Sequence, residues 1–92
     1  PKTSTGPDYF VANISDTTAE YAREIAAELR TKFSVETDLM QRKLGKQLEY
    51  ADSIRAKKVV FVGEDEVKTG LLKIKDMATG KEEKKKVEEL YS

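Results

Sequence analysis

The run Val59-Val60-Phe61-Val62 limits the folds open to this chain more than any other feature. Four successive apolar residues, held between Lys57-Lys58 and Gly63, leave no polar side to turn toward solvent. A strand reads this way when both of its faces are covered, as at the centre of a parallel sheet with helices packed on each side. The chain has 92 residues, enough for one such core without metal or disulfide staples and too few for a second domain.

The segments around that run supply the rest of a layered α/β fold. "PDYFVANI" predicts a first strand from Tyr9 to Ile14. "SDTTAEYAREIAAELRTKF" predicts a helix, because Ala22, Ile25, Ala26 and Leu29 recur at helical spacing; Thr17 and Glu20 are spaced as a capping box at its start. "FSVETDL" alternates Phe33, Val35 and Thr37 with polar neighbours, which predicts a half-exposed second strand ending near Asp38. Lys43 to Ile54 then reads as a second helix with Leu44, Leu48 and Ala51 on its core face. Strand, helix, strand, helix, strand implies two right-handed crossovers. After Gly63 the pattern changes. "GEDEVKTG" reads as a loop, and Leu72 and Ile74 alternate with Lys73 and Lys75 before a turn-like "ATG", so a fourth strand enters a hairpin. The charged tail "KEEKKKVEELYS" allows two readings, an edge strand followed by the start of a helix or one solvated helix.

Composition narrows function mainly by exclusion. There is no cysteine and no histidine, which removes thiol nucleophiles, zinc–thiolate sites, the Ser-His-Asp triad and the His general base. No apolar stretch approaches the roughly 20 residues that cross a bilayer, and the N-terminus lacks a signal-peptide pattern, so no membrane partner and a cytoplasmic location are expected. The opening "PKTSTGP" and the lack of a starting Met suggest a piece of a longer polypeptide, with residues 1–7 as linker and 8–92 as the domain.

Net charge is zero, from 17 basic and 17 acidic residues, so only the local distribution of charge is informative. From Gln41 to Lys58 six cations (Arg42, Lys43, Lys46, Arg55, Lys57, Lys58) face two acids, Glu49 and Asp52. Beside the apolar stripe of the second helix, Lys43, Lys46, Gln47 and Tyr50 form another, with Glu49 and Asp52 on the far side of the wheel.

In open α/β sheets ligands meet the carboxyl ends of the parallel strands, where "DLMQRK" and "GEDEVKTG" both lie. The start of the second helix adds amide donors and a positive dipole end suited to phosphate. Cations combined with a ring, paired amides and a carboxylate suit a looped RNA better than a duplex, because splayed bases require hydrogen-bonding edges and stacking surfaces. On this reading Lys43 and Lys46 meet phosphate, Arg42 forks onto phosphate or a base, Gln41 and Gln47 offer paired donors and acceptors, Tyr50 offers a ring, and Glu66 accepts from base amino or imino groups. "GEDEVKTG" lacks the Gly-Lys-Ser/Thr ending of a Walker-type loop, and Glu64, Asp65 and Glu66 read as a solvated acidic turn in preference to a Mg²⁺ site.

From about Asp8 to Gly80 the chain resembles the C-terminal anticodon-binding domain of histidyl-tRNA synthetases, particularly those of archaeal type. The pattern D-L-M-x-R-x-L-x-K-Q-L-x-Y-A from Asp38, the V-x-V-G-E-x-E strand end from Val60 and the hairpin "IKDMATG" carry the likeness. The resemblance implies a three-layer α/β/α domain with a mixed, roughly five-stranded sheet and three flanking helices. It also implies binding of a tRNA anticodon stem-loop beside the catalytic domain of a parent synthetase, itself expected to be a homodimer. It places Arg42, Lys46 and Gln47 at the RNA-facing helix start, Glu66 at a base edge and Lys75 against base or phosphate. Relatives often carry Arg where Lys75 stands, and a point charge there replaces a guanidinium fork. No catalytic activity and no cofactor are expected of this chain alone; ATP and Mg belong to the missing catalytic domain. Two alternatives remain on the sequence: the same fold in a non-charging paralogue that senses or binds tRNA, and a doubly wound nucleotide- or metabolite-binding protein.

Overall fold

The computed structural model describes residues 6–37 and 43–90. Five strands form one sheet in the order β2-β1-β3-β4-β5: β1 Tyr9–Asn13, β2 Val35–Thr37, β3 Lys58–Val62, β4 Leu72–Asp76 and β5 Glu82–Lys85. β1 runs parallel to β2 and to β3, while β3–β4 and β4–β5 are antiparallel. Val59–Val62 thus occupies the central strand, buried on both faces as its unbroken apolar run demands. The charged tail resolves into the first of its two readings, with β5 as an edge strand followed by a short helix, α4 Val87–Leu90. A strand made only of Glu and Lys, Glu82-Glu83-Lys84-Lys85, suits an exposed edge, since charge there discourages pairing with another chain.

Helices cover the two faces unequally. α1, Ala19–Arg30, buries Ala22, Ile25, Ala26 and Leu29 against Tyr9, Val11, Val60, Val62, Leu72 and Ile74, and Val87 and Leu90 of α4 pack against the same cluster. α2, Leu44–Ser53, lies on the opposite face, where Leu44, Leu48 and Ala51 pack over Phe10, Ala12, Val59 and Phe61. The result is three layers, α/β/α.

Three local expectations are corrected. The capping box does not form: Ser15 caps a 3₁₀ turn, Asp16–Thr18, by accepting from the Thr17 amide at 3.3 Å, and α1 begins only at Ala19 with no side-chain cap from Thr18. "GEDEVKTG" is not a loop but a short helix, α3 Glu64–Thr69. Its six residues are too few for periodicity to show, but its punctuation is legible: Gly63 enters in extended conformation and Gly70 closes it at φ 76°, the left-handed cap that glycine favours. Finally, the described residues hold four α-helices where the resemblance implies three. Of the expected linker, Gly6 and Pro7 are packed on the body; the Lys57 amide donates to the Pro7 carbonyl at 3.0 Å, and a Cβ on Gly6 would collide with the Arg55 carbonyl.

Candidate nucleic-acid interface

β1 and β3 end together at Asn13 and Val62, and the elements that follow meet at that edge of the sheet. The Asn13 side chain takes a hydrogen bond from the buried Thr18 hydroxyl at 2.6 Å, which holds the 3₁₀ turn against the strand end. The Thr17 hydroxyl donates to the Glu64 carboxylate at 2.8 Å, tying the same turn to α3. On the other side of Asn13, Gln47 of α2 bonds the Asn13 backbone twice. The starts of α2 and α3 are therefore fastened to one strand end.

The two helix starts carry opposite charge. The N-cap of α2 is Lys43, which offers no side-chain cap, and the first turn of the helix holds no acid, so the positive dipole end stands beside Lys43 and Lys46 with no carboxylate of that turn to offset it. α3 has Glu64, Asp65 and Glu66 in its first turn and Lys68 in its last, each placed where the helix dipole favours it. That accounts for the acidic cluster without a metal.

Each sequence-derived site residue has a distinct outcome. Gln41 and Arg42 lie outside the described residues. Lys43 is exposed, and Lys46, its side chain 65% exposed, pairs only loosely with Glu49 at 3.5 Å, a geometry that leaves it available to an anion. Glu66 is half-buried, and its Oε1 lies about 3.0 Å from where a Gly63 Cβ would stand. Glycine at 63 thus lets the carboxylate fold over the strand end, with the exposed Ile14 beside it.

Two residues depart from the expected ridge. Gln47 is turned inward, 3% exposed, because on the wheel it lies about 20° from Ile54 and about 40° from Ala51 at 100° per residue, inside the buried arc and not beside it. Its amide is engaged with Asn13, so it does not present a free pair of groups to a base. Tyr50 is half-buried with its ring edge-on to Phe10, centroids 5.8 Å apart. Seven residues beyond Lys43, it sits roughly 10 Å down the helix from the loop edge, so packing claims the ring that stacking would need.

Lys75 faces the α2 side of the sheet, because its register partner Val59 belongs to the α2 cluster. It stands level with Val59, three residues and so about 10 Å from the edge at Val62. Lys73 is nearer that edge, paired with Phe61 in register, its Nζ 5.5 Å from the Phe61 ring centre and 3.2 Å from Glu82. Sequence reasoning passed over Lys73, although alternation in "LLKIKD" already places it on one face with Lys75. Lys84, opposite Lys73 on β5, extends the same face.

Two open grooves lie at the opposite edge, one lined by Gly6, Pro7, Glu36, Tyr50 and Arg55, the other by Asp52, Arg55, Lys58, Asp76 and Met77. Neither adjoins Glu66 or the start of α2. Among the described residues no helix is long and apolar enough to cross a membrane.

A family model described as the anticodon binding domain matches residues 8–92. A histidine–tRNA ligase of Halobacterium salinarum is 43% identical over 77 residues, which is 83% of this chain and 18% of that ligase. Another, of Acetivibrio thermocellus, is 38% identical over 87 residues, 94% of this chain and 21% of the ligase. The crystal structure of apo S. aureus histidyl-tRNA synthetase matches with a TM-score of 0.87 at 27% identity, over 95% of this chain and 23% of that one. The chain spans about a fifth of the length of these relatives.

Proposed function

The chain belongs to the anticodon binding domain family, and on that premise we propose that it is the part of a histidine–tRNA ligase that reads the anticodon loop of histidine tRNA. The observation that carries this reading is the pairing of two oppositely charged helix starts at one strand end. Lys43, Lys46 and the positive end of α2 receive loop phosphates, while the Glu66 carboxylate accepts from the amino and imino edge of an unpaired base. Lys73 and Lys75 carry the positive surface onto β4, where the strand continuing from the loop is met by point charges.

On the same reading the partners are a tRNA and the catalytic domain of the parent ligase, the parent is a homodimer, and the setting is the cytoplasm. ATP and Mg serve the catalytic domain, and this domain requires neither. Aminoacylation is then a division of labour: the anticodon is held here, and the acceptor end is presented to a site elsewhere in the parent.

The test is a titration of this chain with RNA stem-loops carrying the histidine anticodon or a scrambled loop, at two salt concentrations. The expected result is tighter binding of the histidine loop, with affinity falling as salt rises because phosphate contacts release counterions. Equal binding of the two loops would remove anticodon reading from this chain.

A further inference from the structure

Among the described residues the buried polar side chains are Thr18 and Gln47. A buried amide requires partners, and Gln47 finds two on one residue's backbone: the Asn13 amide donates to Oε1 at 3.0 Å, and Nε2 donates to the Asn13 carbonyl at 2.8 Å. The sheet explains why Asn13 has these groups to offer. β2 pairs with β1 up to Thr37, in register with Val11, and Asn13 lies two residues further along β1. The Ile14 amide bonds the Val62 carbonyl at 2.8 Å, so Ile14 faces β3. Alternate residues of a parallel strand address opposite neighbours, so Asn13 faces away from β3, toward the β2 side of β1. The Gln47 amide meets both of those groups, bonding the Asn13 N–H and C=O as a neighbouring strand residue would.

We propose that Gln47 is a positioning residue of the anticodon-loop site, whose two-point bond to the end of β1 sets the depth and roll of α2 and so aims Lys43 and Lys46 relative to Glu66. This rests on the anticodon reading above. A single hydrogen bond would leave the helix free to turn about it. Two bonds to the N–H and C=O of one residue fix direction as well as distance. Lys46 is the adjacent residue in the chain, and Lys43 lies one turn earlier, so a change in roll at Gln47 moves both cations. Through Asn13, Thr18, Thr17 and Glu64 the same strand end also holds α3, which places the two halves of the site on one common anchor.

The experiment compares this chain with its Gln47→Met variant, which keeps the side-chain length and removes the donor and acceptor. Binding to the histidine-anticodon and scrambled stem-loops is measured at a temperature where circular dichroism shows both proteins folded. The expected result is a roughly tenfold loss in the ratio of the two affinities, of the size that an unpaired buried backbone pair produces. A folded variant that keeps the wild-type ratio overturns the positioning role and leaves the anticodon reading standing. A wild-type chain that binds both loops alike overturns that reading and this proposal with it. If Gln47→Met does not fold, hydrogen exchange of the wild-type chain decides. A prearranged clamp predicts slow exchange of the Asn13 amide and the Gln47 NH₂ protons before RNA is added, and fast exchange of both in the free chain overturns it.

Discussion

On the α1 face of the sheet, strand residues Tyr9, Val11, Val60, Val62, Leu72 and Ile74 are all buried, under α1 and the short α4. On the other face α2 covers Phe10, Ala12, Val59 and Phe61, and the face then continues across β4 and β5 as Lys73, Lys75, Lys84 and Glu82. One face is finished with hydrocarbon from β2 to β4. The other is finished with hydrocarbon in its middle and with cations at its side. Burial of apolar area stabilises a domain of this size, while a ligand carrying phosphates needs cations that still touch water. The two faces divide those tasks, and substitutions can test whether the division holds.

The largest effect is expected on the closed face. Leu29 is fully buried, and Leu29→Ala should destabilise the domain by about 2–5 kcal/mol, read as a lower denaturation midpoint. At temperatures where that variant is folded, its preference among RNA loops should match the wild type; a changed preference would break the division of faces. Next comes Glu66→Gln, which keeps shape and removes the charge. Discrimination between loop sequences should change by about 1–3 kcal/mol, with overall stability moved far less, as competition binding and denaturation together would show.

A smaller effect is expected at the far end of α2. Arg55 holds φ 60° in the position after the helix cap, while the Arg55 and Ala56 amides bond the carbonyls of Asp52 and Ala51, each at 3.0 Å. Glycine suits that left-handed conformation, so Arg55→Gly should stabilise by about 0.5–1 kcal/mol with RNA preference unchanged, which separates the two ends of one helix. The smallest effect on stability belongs to Lys46→Ala. Its exposed ion pair with Glu49 is worth a few tenths of a kcal/mol at most. Its consequence should appear in binding: with one fewer phosphate neutralised, the salt-dependence slope should be shallower by about 0.7, equally for all loop sequences. An unchanged slope would remove Lys46 from the phosphate path.

Legibility followed the range of the interaction that decides each residue's place. Ala22, Ile25, Ala26 and Leu29 are buried as their spacing required, since a helix whose one face is apolar has one way to meet a sheet. α3 was hidden by its shortness, though Gly63, three acids and Gly70 mark its ends. Thr17 shows a different limit. Its spacing to Glu20 satisfies a capping box, yet Ser15 starts a tighter turn and Thr17 bonds Glu64, 47 residues away, a partner that no local pattern contains. Helical spacing alone puts Gln47 and Tyr50 on one ridge with Lys43 and Lys46. The wheel with Ile54 included would have drawn Gln47 into the buried arc, whereas the ring of Tyr50 is claimed by Phe10 of a different element.

By itself the sequence determined the central strand, the two crossover helices, the hairpin, the lack of histidine and cysteine chemistry, and a cationic start to α2. These depend on periodicity and composition, which are properties of neighbours along the chain. Only the tertiary structure decided that Gln47 turns inward to bond the end of β1, and that Lys73 joins Lys75 beyond the cover of α2. Each of those depends on which backbone groups and side chains remain unpaired after distant elements have packed, and that remainder exists only once the whole sheet is assembled.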